Sequence, residues 1–132
     1  MTFCFIGIGS NENPEYHCQK MVEALRQRFG RIWVSSLKKT AAHGVKAADY
    51  VNGVVCFEAN VDPYALKVWC RELESQLGRV RGGTECTADL DILFLVDTLP
   101  FETALPTVDC YYQGLFQQVV RMVWQSQVEH SG

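Results

Sequence analysis

The order of strand-like and helix-like segments limits the fold of this chain more than any other feature of its sequence. Period-two alternation and short apolar runs between turn residues predict four strands, which cover residues 3–8, 31–37, 50–59 and the segment beginning at Ala88. Apolar residues at helical spacing predict three helices; two begin at Pro14 and Pro63, and the third covers 111–127. Residues 38–49 are predicted to form a loop.

The predicted order of elements is therefore β-α-β-β-α-β-α. Its first six elements match the ferredoxin-like α+β sandwich, in which two helices cover a mainly antiparallel sheet. The last helix is an addition to that plan at the C-terminal end. Because no repeat or linker divides the 132 residues, we expect one domain over residues 1–132.

Composition narrows the class of protein further. Hydrophobic residues make up 48% of the chain and charged residues 20%, which is typical of a globular protein with a packed core. The net charge of −3 disfavours a broad nucleic-acid-binding face. No apolar run approaches the roughly 20 residues of a membrane helix, and the start of the sequence shows no export signal. We expect a cytoplasmic protein, monomeric, with neither nucleic acid nor a membrane as its partner.

The cysteines and histidines indicate neither disulfides nor zinc. The six cysteines include no C-x-x-C pair, and most fall within strand or helix patterns. A thiol in such a position behaves as a small apolar group. The three histidines are scattered along the chain at no zinc-binding spacing. These patterns favour a reduced intracellular protein.

Two aspartates open the strand that begins at Ala88. Asp89 and Asp91 share one face, because side chains alternate along a strand, and Leu93 and Leu95 are expected to continue that face. Adjacent carboxylates on a buried face repel each other and are poorly solvated, which a divalent cation would resolve. Carboxylates about 6.6 Å apart along the strand could converge on two Mg²⁺ ions about 4 Å apart. Alternatively, the two side chains simply face water.

Two other pairs of residues also have both a functional and a structural interpretation. Arg79 and Arg81 lie in a glycine-containing loop, where guanidinium groups suit bidentate contacts with phosphate. The same charges would be unremarkable in a solvent-exposed connection. Tyr50 and Asn52 share a face of the third strand, where a ring and an amide could stack on and hydrogen-bond a flat heterocycle. Half-buried sheet packing is the alternative for this pair.

The turn at Gly7-Ile8-Gly9-Ser10 does not indicate a dinucleotide site. A G-x-G-x-x-G fingerprint requires glycine at position 12, where the sequence has Glu12. No lysine of the P-loop type follows the turn. The two glycines therefore predict only that the first strand ends tightly.

Taken together, these segments resemble the 6-hydroxymethyl-7,8-dihydropterin pyrophosphokinases of folate biosynthesis. The segments that carry the resemblance occur in the family's order, and they are FIGIGSN at 5–11, DYVNGVV at 49–55, LESQLGRVR at 73–81 and TADLDIL at 87–93. The resemblance spans residues 3 to about 100 and implies the same ferredoxin-like sandwich. It also implies transfer of the β,γ-diphosphate of ATP to the hydroxymethyl group of the pterin, with release of AMP.

The resemblance implies a role for each residue that matches a family motif. Asp89 and Asp91 would hold two Mg²⁺ ions that bind together with ATP. Arg79 and Arg81 would act in catalysis on the phosphate side and, with Glu74, would bind the nucleotide. The residues that would bind the pterin are Thr40, Gly44, Tyr50, Asn52 and Phe116.

The chain departs from the family pattern where basic residues are expected. Cys86 replaces an arginine before the aspartate-bearing strand, and the loop GGTECTA at 82–88 is shortened. The family's histidine and arginine of the C-terminal region have no clear match. A charge-assisted hydrogen bond is worth about 1.5–3 kcal/mol, so losing two or three could cost on the order of 10³-fold in rate. Two hypotheses follow: an active pyrophosphokinase, or a degenerate paralogue that binds pterin, nucleotide or a protein partner without efficient transfer.

Overall fold

The structure of the chain, a computed structural model, describes residues 1–40 and 49–131. Within those ranges the chain forms five strands, three α-helices and one short 3₁₀ helix. In chain order they are β1 (Thr2–Ser10), α1 (Pro14–Phe29), β2 (Ile32–Val34), β3 (Lys38–Thr40), β4 (Tyr50–Ala59), α2 (Pro63–Gln76), β5 (Asp89–Val96), the 3₁₀ helix (Glu102–Ala104) and α3 (Cys110–Ser131). No helix in the described part of the chain is long and apolar enough to cross a membrane.

The described strands form one antiparallel sheet with the order β2-β4-β1-β5. The strand β3 pairs with the first residues of β4, on the same side of β4 as β2. The strand β1 therefore lies in the middle of the sheet, and β5 is an edge strand. This arrangement confirms the predicted α+β ferredoxin-like fold with an added C-terminal helix.

The edge strand on the other side of the sheet differs from its predicted form. The sequence predicts one strand over 31–37 and a loop over 38–49. The structure instead has a three-residue β2, a break, and then β3 at Lys38–Thr40, which pairs with the first residues of β4. The prediction of a loop was wrong for residues 38–40, and the predicted loop residues 41–48 lie outside the described structure. Two lysines break the apolar pattern there, but edge strands tolerate charged side chains because one of their sides is open to water.

Apolar side chains from the sheet enter two cores, one on each face. The α1–α2 core lies beneath the first two helices and receives alternate residues of β1, namely Cys4, Ile6 and Ile8. The α3 core lies beneath the last helix and receives the intervening residues Phe3 and Phe5. This period-two division of β1 follows from the alternation of side chains along a strand.

A bulge in β5 changes which face its later residues occupy. Phe5 of β1 lies opposite Phe94, whereas the next residue, Ile6, lies opposite Ile92, so Leu93 is an extra residue in β5. Leu93 and Phe94 consequently both contact the α3 core, and Leu95 packs against the α1–α2 core. The expectation that Leu95 continues the face of the two aspartates was wrong, because strict alternation does not survive a bulge.

Candidate active site

A trough crosses one end of the sheet on the side of α3. Its floor is the backbone of Gly7 and Gly9 in the central strand, since neither residue has a side chain. Gly9 lies opposite Asn52 of β4 and Asp89 of β5, and Gly7 lies opposite Asp91. The two flanking strands are roughly 10 Å apart across β1. We call this feature the glycine trough; its walls are Tyr50 and Asn52 on β4, and Asp89 and Asp91 on β5.

Glycine is required at both floor positions by the side chains that lie over them. A Cβ atom at Gly9 would lie 2.7 Å from Nδ2 of Asn52 and 3.1 Å from Cε1 of Tyr50. A Cβ atom at Gly7 would lie 2.5 Å from Cζ of Tyr112. The sequence interpretation of these glycines as a tight strand end was wrong, because β1 continues to Ser10. Glycines two positions apart in a strand leave one face of that strand without side chains, and this spacing is the sequence signal of the trough.

The two aspartates share a face, as alternation predicts, but they have different partners. Asp89 accepts a hydrogen bond from Nη1 of Arg79 at 3.1 Å. Asp91 lies with its Oδ2 3.5 Å from the hydroxyl of Tyr112, which is the outer limit of a hydrogen bond. Burial, followed by the charge of Asp89, raises the pKa of Asp91 to about 6. The predicted repulsion between the two carboxylates is therefore present in the fold.

Glu74 organises the residues next to the aspartates from the last turns of α2. Its carboxylate is 4% exposed and accepts hydrogen bonds from Arg79 at 2.7 Å and from Arg81 at 2.8 Å. It also accepts from the backbone N–H of Leu90 at 2.8 Å, which belongs to the open edge of β5. Glu74 thus holds both arginines and the start of β5 in one arrangement. Burial tends to lower the pKa of Arg79, but the neighbouring Cys86, Glu74 and Asp89 outweigh this and raise it.

A cleft of about 330 Å³ lies between α2 and the edge of β5. Its lining includes the two aspartates, Glu74 and both arginines, and also Lys67 and Arg71 of α2. Within the described ranges Lys67 and Arg71 form no ion pair, whereas Arg79 and Arg81 are each paired with a carboxylate. The sequence interpretation missed Lys67 and Arg71. Lys67, Arg71 and Glu74 occupy positions i, i+4 and i+7 of one helix. This spacing is the sequence signal that places all three on one face.

The β4 wall of the trough is packed against the loop before β5. The Tyr50 ring lies over Gly9, and burial, followed by the neighbouring Cys86, raises the Tyr50 pKa. The backbone N–H of Cys86 donates to Oδ1 of Asn11 at 2.6 Å, and the cysteine itself is 9% exposed. Asn52 is only 2% exposed, and its Nδ2 lies over the same floor position. The wall is therefore largely enclosed by neighbouring residues of the same chain.

The remaining residues that the resemblance assigned to the pterin are not part of the trough walls. Thr40 ends β3 opposite Tyr50, and its hydroxyl lies 3.5 Å from the Tyr50 carbonyl oxygen. Phe116 is fully buried, with its ring centroid 5.0 Å from that of Phe5, so none of its surface is available for stacking on a ligand. Gly44 lies outside the described residues.

Comparison with known protein families gives a match over most of the chain. The family model described as 7,8-dihydro-6-hydroxymethylpterin-pyrophosphokinase matches residues 5–113. The matched range contains β1 from Phe5 onward, every later element through the 3₁₀ helix, the glycine trough and the first residues of α3. No curated protein matches the chain.

Proposed function

The chain belongs to the 7,8-dihydro-6-hydroxymethylpterin-pyrophosphokinase family, and from this membership we propose that it transfers diphosphate from ATP to the hydroxymethyl group of 6-hydroxymethyl-7,8-dihydropterin. In this reaction the acceptor oxygen attacks the β-phosphorus, the bond between that phosphorus and the α,β-bridging oxygen breaks, and AMP leaves. The supporting observation is the position of Asp89 and Asp91 between two adjoining sites. The glycine trough lies on one side of them and the cationic cleft lies on the other.

Magnesium fits the oxygen donors of this site when it arrives with a nucleotide. Within the described residues no group of three or more histidines, cysteines, aspartates or glutamates is placed to hold a metal ion. Two carboxylates alone suit Mg²⁺, which commonly takes one or two carboxylates and completes its shell with phosphate oxygens and water. Asp89 and Asp91 would hold the ions, whose chemical contribution would be to neutralise charge on the triphosphate. Burial, followed by the charge of Asp89, raises the pKa of Asp91, and such cations would favour its charged form.

The chain's own cations have two different tasks in this proposal. Lys67 and Arg71 have no carboxylate partner in the described structure and contact the nucleotide phosphates from α2. Arg79 and Arg81 are held by Glu74 at fixed positions beside the aspartates, where they supply preorganised positive charge. Phosphoryl transfer depends mainly on such positioning and charge neutralisation.

A binding module without efficient transfer is the second candidate function. Two observations favour it: both motif arginines are already paired with carboxylates, and Asn52 is only 2% exposed. Such a module would bind the magnesium nucleotide but would release no AMP in the presence of the pterin. Turnover therefore separates the two candidates.

Calorimetry with a non-hydrolysable ATP analogue, with and without Mg²⁺, tests the nucleotide site. We expect Asp89→Asn and Asp91→Asn each to weaken magnesium-dependent binding at least tenfold. Asp97→Asn is the matched control, since this aspartate follows the opposite end of β5 and contacts Thr2. Unchanged binding in both trough variants would refute the metal assignment.

An assay of AMP release in the presence of the pterin then tests the reaction itself. AMP release that depends on both the pterin and Mg²⁺ supports the proposed transferase. Nucleotide binding with no pterin-dependent AMP release would instead establish the binding module.

A further inference from the structure

The first turn of α3 places a tyrosine in the glycine trough. Tyr112 is fully buried, and its ring lies directly over the floor position Gly7. Its hydroxyl lies 3.5 Å from Oδ2 of Asp91 in the wall of β5, and the Asn52 amide of the wall of β4 lies over the next floor position, Gly9. A flat ring with one polar group therefore already occupies the space between the wall of β4 and the wall of β5.

The groups that hold Tyr112 are the same groups that a flat acceptor would need. A heterocycle recognised by the Asn52 amide and placed close to the Asp91 carboxylate must lie where the phenol ring now lies. The two rings cannot occupy this space together, because a Cβ atom added to Gly7 would already lie within 3 Å of Tyr112. The acceptor and Tyr112 must therefore compete.

The attachment of Tyr112 to the rest of the fold allows this competition. Tyr112 is the third residue of α3, and its backbone N–H donates to the carbonyl of Asp109 at 2.8 Å, just before the helix. Only the first helical turn has to unwind to move the ring, and helix ends fray readily. Gly114 follows two residues later, exposed, with no atom within 4 Å of where its Cβ would be. Packing does not require glycine there, and glycine weakens a helix relative to alanine.

We propose that Tyr112 is the residue that controls entry to the acceptor site, and that an acceptor reaches Asn52 only when the first turn of α3 carries Tyr112 out of the trough. This inference rests on the proposed function, because the acceptor in question is the pterin. The affinity for the acceptor is then reduced by the small fraction of molecules in which the trough is open. Changes in α3 that leave every trough wall intact should therefore change pterin affinity.

Three variants test the inference through the dissociation constants of 6-hydroxymethylpterin, by fluorescence, and of the magnesium ATP analogue, by calorimetry. Tyr112→Ala empties the trough and should tighten pterin binding at least tenfold. Tyr112→Phe keeps the ring but loses the hydroxyl that lies beside Asp91, and should tighten pterin binding by a smaller factor. Gly114→Ala stabilises the closed helix and should weaken pterin binding about two- to fivefold. Tyr16→Ala is the control, because this tyrosine is exposed on α1 and its ring contacts only His17 and Lys20 among the described aromatic and cation contacts.

Hydrogen exchange in the parent protein gives a readout that does not depend on any variant folding. Exchange at residues 110–114 should become faster when the pterin is added, while the magnesium ATP analogue alone should leave it unchanged. Tight pterin binding with no change in this exchange would overturn the inference, as would equal pterin affinities for the parent, Tyr112→Phe and Gly114→Ala. Either result leaves the proposed function standing. Failure of the parent and all variants to bind pterin would instead overturn the proposed acceptor, and the inference with it.

Discussion

Replacing Glu74 by glutamine tests whether one buried carboxylate holds the arginines and the edge of β5 together. The bond to Arg79 joins side chains that are 5% and 20% exposed, so we assign it about 1.5–3 kcal/mol. The Leu90 N–H bond to the same charged acceptor is worth a similar amount. The Arg81 side chain is 51% exposed, and solvent screening limits that ion pair to about 1 kcal/mol or less. Because glutamine still accepts one hydrogen bond, we expect Glu74→Gln to lower the free energy of unfolding by about 2–4 kcal/mol.

Urea unfolding measures this loss as a lower midpoint at an unchanged slope. Glu72→Gln is the matched control, since it makes the same chemical change at an exposed position of the same helix. Its free energy of unfolding should stay within about 0.5 kcal/mol of the parent value. A Glu74→Gln variant as stable as this control would refute the reasoning, because it would show that the three donors find other acceptors at no cost.

Three further predictions give expected outcomes of different kinds. The pKa of Asp91 is raised from 3.8 to about 6, so the folded state binds its proton more tightly than the unfolded state, and stability should fall as the pH rises from about 4 to about 6. Asp91→Asn should remove this fall and be roughly 1 kcal/mol more stable than the parent at pH 7, after allowance for solvent screening; equal unfolding free energies across this pH range would contradict it. Lys67→Gln and Arg71→Gln should each weaken binding of the magnesium ATP analogue about three- to tenfold, and the loss should be larger at low salt than at high salt. Calorimetry at two salt concentrations measures this loss, and the control Arg26→Gln on α1 should show none. Cys86→Arg should lower the unfolding free energy by about 1–3 kcal/mol, because it puts a larger, charged side chain in a buried position; an unchanged melting temperature would count against that packing.

Much of the candidate site was predictable from single segments of sequence. The positions of Asp89 and Asp91 on one face follow from alternation along a strand. The pairing of Tyr50 with Asn52 on one wall follows from the same rule. Each of these inferences needs only a few consecutive residues, and in each the structure agrees with it.

Partners that are distant in sequence were not predictable in the same way. The sequence indicates that Arg79 and Arg81 could bind phosphate, but not that Glu74 already binds both of them. It places Phe116 on the inner face of the last helix. It does not predict that the ring of Phe116 is fully enclosed against Phe5. Such facts depend on how the last turns of α2 and the whole of α3 dock on the sheet.

The sequence by itself determined the order of the elements other than β3, the shared face of Asp89 and Asp91, and the charges available at the end of the sheet, because backbone geometry repeats over two or 3.6 residues and leaves a local pattern. Only the tertiary structure decided that β5 carries a bulge at Leu93, that β3 extends the far edge of the sheet, and that Tyr112 lies over Gly7. Gly7 and Tyr112 are 105 residues apart in the chain. No local periodicity records their contact. It exists because the glycine in the strand leaves a space, which the tyrosine ring of the packed helix fills.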